Sequence, residues 1–219
     1  VSAITPVELD ATITSPFDPG ATAVVARAAV ERVGLYGGAG APEPWRLLPH
    51  PDAFGFPLVF LVVGRDGEWL RVKVPLRPNG STAWVRAGDV RLTQTRYQIE
   101  VAIDARRLTL RWGGRLVLEA PIAVGRPHTP TALGNYYVES SIKRDERDPL
   151  YGVYAFGLSG FSEVLHDFNG GEGRLGIHGT GRPDLIGRAV TAGCIRLLDE
   201  HAEELSRRIP LGTPVRLRP

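Results

Sequence analysis

The sequence predicts a mostly β protein made of two successive units with one or two short helices. Three observations carry this. Short apolar segments separated by turn residues run from about residue 22 to 93, a period-2 alternation of apolar residues begins at Tyr97, and a single helical-period segment lies near the C-terminus. The 219 residues are enough to bury a substantial core.

The elements follow in chain order. Residues 1–21 hold Pro6, Pro16, Pro19 and Gly20 with little periodicity and read as a tail or linker. Residues 22–93 read as a small barrel of five or six strands. Its segments are Val24–Tyr36, closed by the loop Gly37–Pro42, then Pro57–Val63, Trp69–Val74 and Ala83–Val85, with Arg65-Asp66-Gly67 and Pro78-Asn79-Gly80 as turns. Residues 94–219 form the second unit. Tyr97, Ile99, Val101 and Ile103 alternate as a half-buried strand does, and Arg107–Trp112 and Leu116–Pro121 flank Gly113-Gly114 as a hairpin. Tyr136-Tyr137-Val138 and Leu175-Gly176-Ile177 are later strands. The connection between them, with the charge run Lys143–Asp148, reads as a lid or binding loop, or else as a solvated surface excursion. Leu198, Ala202, Leu205 and Ile209 fall at helical spacing, with Asp199 as N-cap and Arg207-Arg208 in the last turn, and Pro214–Leu217 returns as a strand.

Composition narrows the function. Apolar residues make up 43% and charged residues 23%, as in an ordinary globular protein, and the net charge of +2 is too small to argue for a polyanionic partner. Basic residues are not interleaved with aromatics as on a nucleic-acid surface, so no nucleic acid is expected. The longest apolar runs, such as Leu58–Val63, fall far short of the roughly 20 residues a spanning helix needs. A single cysteine excludes an internal disulfide and marks a thiol that could react.

That cysteine is Cys194, in Thr191-Ala192-Gly193-Cys194-Ile195-Arg196-Leu197, sixteen residues after His178 in Gly176-Ile177-His178-Gly179-Thr180. A free thiol with a pKa near about 8.5 is only a few per cent thiolate at neutral pH, so a nucleophilic cysteine gains from a neighbouring imidazole that takes its proton. Gly193 permits close backbone approach, and the N–H groups of Gly193 and Cys194 could point at a developing oxyanion. The competing reading of Cys194 is a small buried hydrophobe, and that of His178 a core histidine bonded to a carbonyl. The carbonyl bond serves catalysis as well, since fixing Nδ1–H leaves Nε2 to accept a proton. His50 and His128 read as loop histidines and His201 as exposed on its helix, whereas His166 could line the same cleft. Zinc on His166, His178 and Cys194 lacks any supporting CxxC or HExxH spacing, so no metal is expected.

Ile177-His178-Gly179-Thr180 followed by Thr191–Leu197 resembles the signature of the L,D-transpeptidase (YkuD-type) catalytic domain. Thr129-Pro130-Thr131 and Tyr151–Gly160 are similar to other segments of that family, and the resemblance spans about residues 97–218. It implies a β-sandwich with the cysteine at a cleft mouth, Cys194 as nucleophile, His178 as base and the Gly179 carbonyl orienting the imidazole. Thr191, in place of the family's usual serine, and Gly193 would support the loop. Ala192 replaces a residue that is often polar, and Arg196 would steady the loop or meet a substrate carboxylate. Tyr154, His166 and Thr180 are implied substrate-binding positions. Residues 22–93, notably Trp69–Val72 and Arg77–Val85, resemble the SH3-like domain that precedes some of these enzymes, either a wall-binding module or a spacer with Trp69 and Trp84 in its core.

The implied reaction is acyl transfer on peptidoglycan stem peptides. The thiolate attacks the amide after the L-centre of diaminopimelate, D-Ala leaves, and the amine of a second stem resolves the thioester into a 3→3 cross-link. No cofactor is implied, carbapenems are implied covalent inhibitors, and the expected state is a monomer. The chain begins at Val1 without a leader pattern, and the resemblance implies a secreted, periplasmic or cell-wall protein whose signal or anchor lies outside the sequence. Two alternatives stay open: an L,D-carboxypeptidase in which water resolves the same thioester, and a non-catalytic wall-binding protein.

Overall fold

The computed structural model describes residues 2–4, 13–148, 150–167 and 171–219. Regular structure among them is almost all β. The first eight strands are β1 (Ser2–Ile4), β2 (Ala23–Ala28), β3 (Arg32–Leu35), β4 (Arg46–Pro49), β5 (Val59–Asp66), β6 (Trp69–Lys73), β7 (Thr82–Arg86) and β8 (Val90–Thr95). Six of them form a sheet in the order β1-β8-β2-β5-β6-β7, while β3 and β4 pair as a separate hairpin. Tyr36, just after β3, exchanges two backbone hydrogen bonds with Trp84 of β7, which curls the far edge over the core.

Several sequence expectations change here. The expected Val24–Tyr36 segment is two strands broken at residues 29–31. Part of the expected tail is attached: β1 pairs with β8, and Gln98 holds the carbonyls of Pro16 and Asp18 and the N–H of Gly20. Residues 5–12 lie outside the described residues. Trp69 and Trp84 are half-buried; Trp69 meets Tyr36 edge-on at 4.8 Å, with Arg86 over both rings, so the core is aliphatic with Phe60.

The remaining strands are β9 (Tyr97–Ala102), β10 (Arg107–Trp112), β11 (Arg115–Pro121), β12 (Val124–Gly125), β13 (Gly134–Asp148), β14 (Gly152–Phe161), β15 (Arg174–His178), β16 (Ala189–Thr191), β17 (Ile195–Arg196) and β18 (Pro214–Arg218). An eight-stranded sheet runs β11-β10-β9-β18-β13-β14-β15-β17, and β12 pairs with β16. In the β10–β11 turn Gly113 and Gly114 both take positive φ, 55° and 83°, the twist a two-residue hairpin needs. The expected long connection is instead mostly strand: β13 carries the charge run out to Asp148 and β14 brings the chain back. Helix α1 (Asp199–Ser206) buries Ala202 and Leu205 as its spacing predicts. Asp199 is its first residue, and the cap position is Leu198. Arg207 and Arg208 fall just beyond the last turn and pair with Glu203 and Glu204.

Burial on both faces of two strands joins the sheets. In β2, Val24, Ala26 and Ala28 face the first core, while Ala23 and Val25 join Val59, Leu61 and Tyr137 in a second apolar cluster. This is why Leu58–Val63 reads as an unbroken apolar run: a strand covered on both faces has no polar side. Tyr137, from β13, is fully buried and donates its hydroxyl to the Val59 carbonyl at 3.1 Å. Gly212 allows the closest approach, since a Cβ there would run into Val25.

Near this seam Glu139 pairs with Arg174 at 2.6 Å. Burial pushes the Glu139 carboxyl up to about 7, against the pull of Arg174. A folded value above the ordinary 4.5 means stability that is present below pH 4.5 and lost as pH rises through 7. The gap corresponds to about 3 kcal/mol. Measured by denaturation, wild type should therefore lose about that much stability relative to Glu139→Gln between these pH values. A difference that stays flat with pH would refute the burial argument.

Candidate active site

Cys194 and His178 come together through a parallel strand pair. Ile177 of β15 stands beside Ile195 of β17, and His178 beside Arg196. Parallel neighbours need a crossover of a dozen or more residues, which accounts for the sixteen-residue spacing between the two side chains. Alternation sends Leu175, Ile177, Ile195 and Leu197 into the core. It leaves Gly176, His178, Cys194 and Arg196 on the opposite face.

Cys194 lies beside Gly176, and a Cβ at position 176 would stand 3.9 Å from its sulfur. The ladder extends a row of small residues outward, since Gly176 pairs with Gly157 and Gly157 with Ser140. The floor beside the thiol is thus almost without side chains, and the imidazole occupies the next position along β15.

His178 is buried, and its Nδ1 is 2.7 Å from the Gly179 carbonyl oxygen. A carbonyl only accepts, so Nδ1 carries the proton and Nε2 is the ring's acceptor atom. The Gly179 carbonyl is itself fixed, because the Gly179 N–H donates to Tyr154 O at 2.9 Å and the Asp199 carboxylate packs against the residue. Asp199 also accepts from Val153 N–H at 3.3 Å, so the residue expected to cap its own helix braces the histidine's support. Tyr151 lies 5.0 Å from the imidazole, ring to ring. Sequence reasoning missed both; the only signal was their place in the Tyr151–Gly160 segment and at the helix start.

Thr191 closes the cysteine turn. Its hydroxyl donates to the Cys194 carbonyl at 2.6 Å and accepts from Gly193 N–H at 3.1 Å. Gly193 N–H, expected from sequence to point at an oxyanion, is engaged here by the Thr191 hydroxyl. What the position demands is backbone freedom, since Gly193 has φ of 119°, where a side chain is strained. The Thr191 carbonyl is held in turn by Thr129 Oγ1 and Arg126 N–H, which explains the proximity of the Thr129-Pro130-Thr131 segment.

The other expected site residues divide. Tyr154 is half-buried and packs against the main core, and Thr180 is buried with its hydroxyl accepting from Arg182 N–H at 3.1 Å. His166 is exposed and does not line the cavity at the thiol. Among the described residues no three His, Cys, Asp or Glu side chains gather as a metal site. No helix among them is long and apolar enough to cross a membrane.

Burial pushes the Cys194 thiol up, opposed by a backbone hydrogen bond from Gly176 and by the Arg196 charge. Burial likewise pulls the half-buried Arg196 guanidinium down, and its Nε is buried without a hydrogen-bond partner. The charge on Arg196 thus favours the thiolate.

These residues are the core of a larger likeness. Residues 96–217 match the model of the L,D-transpeptidase catalytic domain, YkuD, which is more than half of the chain. The chain belongs to this family. A Bacillus subtilis protein named as the L,D-transpeptidase YkuD is 37% identical over 119 residues, 54% of this chain and 64% of the relative. Its Bacillus licheniformis namesake is 34% identical over 123 residues, 56% of this chain and 66% of the relative. The chain thus spans just under two thirds of the length of these relatives. Among solved structures, L,D-transpeptidase 3 of Mycobacterium tuberculosis aligns with TM-score 0.46 and 18% identity over 63% of this chain and 74% of that one. The matched L,D-transpeptidase domain takes in β9 through nearly all of β18, and the six-stranded sheet precedes it.

Two outcomes follow from this geometry. Alkylation of Cys194 by iodoacetamide should rise with pH and level off only above the ordinary thiol range; an inflection near pH 6 would contradict the burial argument. Gly179→Ala should cost about 1–3 kcal/mol by driving a methyl group into Asp199. In a double-mutant cycle with Asp199→Ala the losses should be less than additive, and strict additivity would refute the contact.

Proposed function

We propose that the protein is a peptidoglycan L,D-transpeptidase that forms 3→3 cross-links through a thioester on Cys194. The observation that carries this reading is the shared face of β15 and β17, where Cys194, His178 and Arg196 adjoin a floor of small residues in a chain of this family. Nε2 of His178 takes the thiol proton as sulfur attacks the amide carbon after the L-centre of diaminopimelate. The same imidazolium returns that proton to the departing D-Ala amine, leaving the stem on sulfur as a thioester. The side-chain amine of a second stem then attacks the thioester, loses its proton to His178, and displaces the thiolate. Proton transfer and the thioester account for every step, so the chemistry calls for no cofactor.

A nucleophile of this kind is open to covalent capture by a carbapenem, whose strained amide acylates the sulfur. The substrate lies in the cell wall, so the reading places the protein outside the cytoplasm. The first sheet, read as an SH3-like domain, positions the catalytic unit.

Incubation with a tetrapeptide stem and excess acceptor stem, followed by mass analysis, tests the reading. The expected products are free D-Ala and a cross-linked dimer, with activity lost by at least about 10³-fold in Cys194→Ala and severely reduced in His178→Ala. Tripeptide without dimer would overturn transfer in favour of hydrolysis. Absence of any carbapenem adduct on the wild-type protein would overturn the nucleophile.

A further inference from the structure

The turn between β6 and β7 reaches out of the first sheet and grips the chain that walls the cysteine cleft. Arg77 Nη1 donates to the Ser162 carbonyl at 2.9 Å, and Nη2 donates to the carbonyls of Leu165 at 3.2 Å and Glu172 at 2.9 Å. One guanidinium therefore spans two limbs of chain, the one leaving β14 and the one entering β15. Asn79 completes the grip. Its amide donates to the Phe161 carbonyl and accepts from the Phe161 N–H, each at 2.8 Å, as a strand partner would. The Phe161 ring is buried, with the Arg77 and Arg174 guanidiniums 4.8 and 4.7 Å from its centroid.

Those limbs are the wall of the cleft. Ser162, Leu165, Gly173 and Leu175 line a cavity with Ala192, Gly193 and Cys194. Its volume of about 20 Å³ admits little more than one water, so a small displacement of the wall changes how an extended peptide lies beside the sulfur. The limbs are tied to each other by Ser162 N–H to Gly173 O at 2.8 Å, and Leu165 N–H donates to Ser162 Oγ at 3.0 Å. Among the described residues between Phe161 and Arg174 no strand is formed, so the guanidinium adds ties that strand pairing does not. Its planar fork suits several acceptors at once, which an ammonium cannot match.

We infer that Arg77, with Asn79, is a positioning residue for acyl transfer: it fixes the two limbs so that the acyl-donor peptide meets the Cys194 sulfur in a reactive pose. The first sheet is then part of the catalytic apparatus. This rests on the proposed acyl-transfer function. His178 lies on β15 and Cys194 just before β17, and neither takes part in the hydrogen bonds of the grip, so loosening the limbs leaves their own chemistry intact.

The test uses the full chain as wild type, Arg77→Ala and Arg77→Lys. Three rates are compared: acylation of Cys194 by a tetrapeptide donor, alkylation of Cys194 by iodoacetamide, and amide hydrogen exchange in segments 161–165 and 172–175. Arg77→Ala should lower donor acylation between about ten- and a hundredfold, the range a misplaced reacting group costs. It should leave alkylation and its pH profile within about twofold, and exchange in both segments should rise at least tenfold. Arg77→Lys, which keeps the charge and the stem, should fall between. Should Arg77→Ala fail to fold, the lysine variant carries the same comparison.

Equal falls in donor acylation and alkylation would mark a general structural loss and overturn the inference, as would unchanged donor acylation with loosened exchange. If wild type gives no donor acylation, the proposed function fails. The exchange measurement then still decides whether Arg77 orders the wall, and unchanged exchange overturns that too.

Discussion

The site depends on a parallel pairing of two short strands in which the residue beside the thiol has no side chain. Any larger residue at position 176 would fill the space over the sulfur, because even a Cβ there stands in ordinary contact at 3.9 Å. Parallel pairing also explains why the chain spends sixteen residues between His178 and Cys194. The crossover carries β16, which pairs with β12 and brings Thr191 to the cysteine turn. The spacing in the sequence is the length of that detour.

Around this pair the protein sets two electrostatic demands against each other. Burial favours the neutral thiol, while Arg196 and a backbone hydrogen bond from Gly176 favour the thiolate. A thiol pushed up in this way relies on a base at the moment of attack, so the base must be held firmly. Firmness comes in layers: Gly179 fixes the imidazole, Tyr154 fixes Gly179, and Asp199 fills the space behind. Each layer is backbone or a short side chain, with few rotamers to lose.

The two sheets are joined by shared burial. Strands β2 and β5 are covered on both faces, one by the first core and one by the cluster around Tyr137. The same contact brings the β6–β7 turn over the end of β14, so the first sheet meets the second close to the cleft. An apolar seam holds the orientation, and the polar grip of Arg77 and Asn79 uses it.

Much of this was legible in the chain. The mostly β class, the glycine hairpin at Gly113-Gly114 and the helix buried through Ala202 and Leu205 follow from periodicity, turn chemistry and residue type. Those are local properties, and neighbours along the chain fix them. Other features needed the fold. The charge run became a strand because β14 was there to pair with it. Gly193 lost its N–H to Thr191 because the turn closed on that hydroxyl, and Asp199 braced Gly179 because helix α1 starts against β15. Arg77 looked like the start of an ordinary turn; only the packing of one sheet on the other puts its guanidinium among three carbonyls about ninety residues away in sequence. Such contacts join segments whose local patterns are independent, so no local pattern encodes them.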